Sequence, residues 1–111
     1  MNKFYATVVF ALLSGFMTLN AAAYKGQKVY MESCKGCHGG GQELAGSKKQ
    51  HIWEKLMANK GEKLADIHLS SKKAQASWGY FNDRTYTKDA KHLEDFLTEY
   101  SSDSGNVPAC N

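Results

Sequence analysis

The 111-residue chain has one proline, Pro108, no methionine after Met57, and no apolar run long enough to span a bilayer. Its longest mainly apolar stretch, residues 4–19, falls short of the roughly 20 residues a membrane helix needs. No segment alternates apolar and polar residues at period two for long, so a sheet is not expected. Paired catalytic carboxylates, a nucleophile beside a base and a glycine-rich phosphate loop are all missing. The formal charge of +3 is spread without a basic stripe, which argues against nucleic acid as a partner. The length excludes a Rossmann-type enzyme, a kinase or a barrel and allows one domain.

What the chain does have begins with an address. Lys3, the apolar stretch 4–19 and the small residues Asn20-Ala21-Ala22-Ala23 form the three parts of a secretory signal peptide. Residues 1–23 are therefore expected to be removed, leaving a domain of residues 24–111 with no membrane span and an expected place in the periplasm. Without Lys3 that domain carries 13 basic and 11 acidic side chains. A domain of this size buries only about 60–65% of its unfolded surface and often needs a disulfide, metal or cofactor to hold together. Its aliphatic residues are sparse, but two Trp, six Tyr and five Phe in the whole chain are too many for disorder.

The apolar spacing is helical throughout, and the fold class is all-α. A first short helix is expected over residues 24–33, broken by Gly39-Gly40-Gly41. Ser47-Lys48-Lys49-Gln50 reads as a capping box, opening a helix with Ile52, Trp53, Leu56 and Met57 on one face and Gly61 as its stop. Leu64, Ile67 and His68 mark a third helix, and Ser70 or Ser71 a further turn toward Trp78. Residues 79–87 read as a loop. A last helix over residues 89–100 aligns Leu93, Phe96, Leu97 and Tyr100, and residues 101–111 read as an irregular tail.

Cys34-Lys35-Gly36-Cys37-His38 is C-x-x-C-H, the attachment signature of c-type haem. On a helical turn, two thiols three apart each reach one vinyl group of the porphyrin. The adjacent imidazole then coordinates iron from below. A thioredoxin-like redox pair lacks its βαβ context, a zinc site lacks a second ligand pair, and a plain disulfide leaves His38 unexplained.

With this motif near the start of the expected domain, the chain resembles a small monohaem class I cytochrome c of the bacterial periplasm over most of its length. Gly26 and Tyr30 are similar to that family's glycine-aromatic pattern, where the N-terminal helix crosses the C-terminal one. The resemblance implies three to five short helices around one covalently bound haem c with its iron. It implies that Tyr30, Trp53 and Phe96 pack on the haem. It also implies electron transfer, not enzymatic catalysis.

The sixth iron ligand departs from the pattern. The family usually supplies a methionine before the C-terminal helix, and none stands there. His68, beside Leu64 on a helix face, is the first candidate and Met57 the runner-up, with His51, His92 and an open distal side behind them. Two histidines would give a lower potential than a Met/His pair. An open distal side would instead mean a haem enzyme or small-ligand sensor, and a haem subunit of a larger respiratory complex is a further alternative. Lysines near Lys35 are read as steering other redox proteins into transient complexes. Cys110 is left over, a thiol for a disulfide partner or an idle one.

Overall fold

The computed structural model describes residues 17–108, which leaves most of the expected signal peptide and Cys110 outside. Six α-helical segments and one 3₁₀ helix make up this part, with no strand among the described residues. They are α1 (Met17–Ser33), α2 (Lys35–His38), α3 (Gly41–Ala45), α4 (Gln50–Leu69), the 3₁₀ helix Lys72–Ser77, α5 (Trp78–Phe81) and α6 (Arg84–Glu99). The all-α expectation holds, with more segments than the three to five foreseen.

The fold rests on α6 crossing α1 and then α4. Gly26 makes the first crossing possible. A Cβ at that position would collide with the His92 carbonyl oxygen and lie 2.7 Å from the Phe96 Cβ, so the two backbones meet where no side chain fits. One turn on, Tyr30 is wholly buried and its ring lies 5.5 Å from that of Phe96. Leu93, Phe96 and Leu97 complete the buried stripe of α6, as the i, i+3, i+4 spacing requires.

Helix α4 is two helices joined at a kink. Ala58 is extended, and Asn59, Lys60 and Gly61 have φ of 54°, 57° and 73°. The expected stop at Gly61 is therefore a left-handed turn, after which the helix resumes toward His68. Tyr86 fastens this turn: its hydroxyl donates 2.6 Å to the Gly61 carbonyl in the buried core. Removing that hydroxyl with Tyr86→Phe strands a buried carbonyl and should lower stability by about 1–3 kcal/mol. Chemical denaturation of the haem-loaded protein measures the loss.

Two local readings are corrected. The Ser47 capping box is not made, because the Ser47 hydroxyl donates to the Leu44 carbonyl (2.6 Å) and Lys49 stands at the helix start with no side-chain cap. The cap comes instead from Asp103, whose Oδ1 accepts the Gln50 N–H at 2.8 Å. That bond holds the Asp103 carboxyl below the usual carboxylate range. The Ser102 N–H also donates to the Lys48 carbonyl (2.9 Å), so the irregular tail is pinned across the start of α4. The last helix begins at Arg84, five residues earlier than its spacing suggested, because Tyr86 and Ala90 are buried along with the leucines.

Candidate functional site

The C-x-x-C-H residues form one tight turn. Cys34 stays on the end of α1 through its N–H to the Tyr30 carbonyl (2.8 Å), and the N–H groups of Cys37 and His38 both return to the Cys34 carbonyl at 3.2 and 3.0 Å. Gly39 leaves this turn at φ 74°, ψ −149°, a conformation that glycine alone adopts freely. The Tyr30 hydroxyl donates 2.7 Å to the Gly39 carbonyl, tying the exit of the motif to the α1–α6 crossing. The two thiols are not bonded to each other. Burial first, then Asp89 and Cys37, pushes the Cys34 thiol up to about 12, whereas Cys37 is exposed.

Beside this turn lies a cavity of about 570 Å³, within the usual range of cofactor sites. Cys34, Cys37 and His38 form one wall, and His68 with Phe81 stands across from them. Tyr30, Trp53, Leu93 and Leu97 supply the apolar floor. Phe96 does not line the cavity; it is spent in the helix crossing against Tyr30. Trp53 is fixed by its indole N–H to the Ala45 carbonyl at 2.8 Å. The lysines on the rim are Lys48 and Lys73 rather than Lys35, and Lys48 lies 5.7 Å over the Trp53 ring.

The rings of His38 and His68 lie with centroids 5.8 Å apart and planes at 77°. One metal ion shared by two imidazoles, each bound at about 2 Å with its ring centre about 1 Å beyond the nitrogen, separates the centres by roughly 6 Å. The His68 Nδ1–H donates 2.8 Å to the Leu64 carbonyl one turn back. This assignment leaves Nε2 with its lone pair free, the usual state of a metal-binding histidine. Burial, and then the neighbouring His68, lowers the pKa of His38 and favours the neutral imidazole that ligation requires.

The other candidates lie elsewhere. Met57 is buried in the core with its methyl group near Gly61, and it does not line the cavity. Neither do His51 and His92. Among the described residues no group of three or more His, Cys, Asp or Glu side chains converges to hold a metal ion; His38 and His68 would supply two nitrogen donors to an ion whose remaining ligands a porphyrin brings. The cavity therefore fits a haem in size, lining and donor set. Sequence reasoning missed Phe81, which stacks on His68 at 4.3 Å, because it fell in the stretch read as a loop.

A family model described as Cytochrome c matches residues 23–101 of the chain. Comparison with curated proteins and with solved structures gives no match.

Proposed function

The chain belongs to the cytochrome c family, and from that premise we propose that it is a monohaem electron carrier with two histidine ligands. Membership makes it a haem-binding electron-transfer protein carrying covalent haem c and its iron. Bound haem supplies one Fe(II)/Fe(III) couple, and the protein has to hold that couple without rearrangement.

In this reading Cys34 and Cys37 would carry the two thioether links, and His38 and His68 would hold the iron. The observation that carries it is the pair of imidazoles lining one cavity with centroids 5.8 Å apart, next to both thiols. The carrier reading is favoured over an open-sited enzyme or sensor because His68 stands where a small ligand would have to bind. Its tautomer is set by the Leu64 carbonyl, its ring is backed by Phe81, and its own carbonyl accepts the Trp78 indole N–H at 2.7 Å. Such second contacts fix ring orientation and raise ligand basicity.

Replacing the sulfur of the usual methionine by a second imidazole favours the oxidised iron, so the midpoint potential should lie near or below zero. His68→Ala should convert the low-spin spectrum to a high-spin, five-coordinate one that binds carbon monoxide. Retention of the low-spin spectrum in that variant, or a methionine–iron band in the wild type, would remove His68 from the iron.

The carrier works outside the cytoplasm in this proposal, with residues 1–23 cleaved on export. Residues 1–16 lie outside the described part, and no described helix is long and apolar enough to cross a membrane. Its partners are acidic redox proteins drawn briefly to the Lys48 and Lys73 rim. Docking as a subunit of a larger complex is the second arrangement, which co-purification would reveal.

A further inference from the structure

Resting on the two-histidine reading above, we propose that Phe81 is a positioning residue that holds the His68 imidazole nearly perpendicular to that of His38. The planes of the two histidine rings stand at 77°. Rings left to themselves settle into either offset-stacked or edge-to-face contact, so which of the two occurs is decided by what holds each ring.

Two contacts constrain the His68 ring. Its Nδ1–H points to the Leu64 carbonyl at 2.8 Å, which limits rotation about the last side-chain bond. The Phe81 ring lies flat against it, with centroids 4.3 Å apart and planes within 28°. A parallel turn of His68 would drive its edge into the phenyl face. Phe81 is itself wedged, since Tyr86 meets it edge-on at 4.7 Å and Tyr80 at 5.4 Å. Tyr86 is anchored to the Gly61 carbonyl, and Tyr80 donates 2.9 Å to an Asp89 carboxylate oxygen. The chain His68–Phe81–Tyr86 thus transmits the fixed position of the α4 kink and of α6 to one ligand plane. The backbone of His38 is set independently, by the C-x-x-C-H turn.

The plane angle has an electronic consequence. Each imidazole donates π density into the iron d orbital perpendicular to its ring. Parallel rings raise one orbital of the dxz, dyz pair and split it, whereas crossed rings raise both and leave the two nearly degenerate. In oxidised low-spin iron, near-degeneracy gives a large, strongly anisotropic g value, and splitting gives a resolved rhombic spectrum.

The test is low-temperature electron paramagnetic resonance of the oxidised, haem-loaded protein. The expected result is a highly anisotropic low-spin signal with a large maximum g. A resolved rhombic low-spin spectrum in the wild type would overturn the proposal while leaving two-histidine ligation standing. A high-spin signal, or the near-infrared methionine–iron band, would instead remove the ligation on which it rests. Phe81→Leu keeps apolar bulk but loses the flat face. It should stay low-spin and move toward the rhombic spectrum, with Phe81→Tyr restoring the wild-type signal. A Phe81→Leu protein that melts earlier yet keeps the wild-type g values would reduce Phe81 to a packing residue and overturn its assigned role.

Discussion

Gly26→Ala is expected to destabilise the haem-loaded protein by about 3 kcal/mol or more, at the upper end of what overpacking costs. The added methyl group would collide with the His92 carbonyl and lie 2.7 Å from the Phe96 Cβ. Neither neighbour is the end of a flexible side chain, so no rotamer change relieves the clash. Helix α6 would have to move away from α1, and Leu93 and Leu97, which line the cavity, would move with it. Alanine gains about 0.5–1 kcal/mol over glycine inside a helix, which does not offset the separation. Against a total stability of about 5–15 kcal/mol, the fall in melting temperature should be plain in thermal denaturation followed by helix and haem signals together. An unchanged melting temperature would show that the crossing is looser than the structure has it.

The second large effect concerns the thiols. Cys34→Ala with Cys37→Ala should abolish haem that survives denaturing electrophoresis, and with it most of the fold. The haem cavity measures about 570 Å³. Without haem its apolar lining of Tyr30, Trp53, Leu93 and Leu97 is left facing water, and collapse to cover it means losing that arrangement. Far-ultraviolet circular dichroism of the double variant should therefore show much less helix than the parent. Native helix content without haem would mean that the aromatic core sustains itself.

These outcomes separate the features that local sequence encodes from those it does not. The C-x-x-C-H turn was legible because its chemistry is confined to five consecutive residues. Gly26 and Tyr30 were legible through their resemblance to the family's glycine-aromatic pattern, and the Leu93–Phe96–Leu97 stripe because helical spacing places it on one face. The cap of α4 was not. Ser47 had the right type at the right spacing, yet its hydroxyl turned back to the Leu44 carbonyl, and the bond was made by a residue 53 positions away. The start of α6 was misjudged for a similar reason. Its first turns carry few aliphatic residues, and their burial depends on Tyr86 reaching a carbonyl 25 positions earlier.

Sequence by itself determined that this is a helical, haem-binding chain of the cytochrome c type, since attachment and helix-face signals are short-range. It narrowed the distal side to a few side chains by containing no methionine where one is usual. Only the tertiary structure brought His68 opposite His38, kept Met57 in the core and set Phe81 against the His68 ring. The physical reason is the left-handed turn at Asn59–Gly61, clasped by Tyr86. It redirects the second half of α4 toward the C-x-x-C-H turn, and no periodicity of the sequence states that direction.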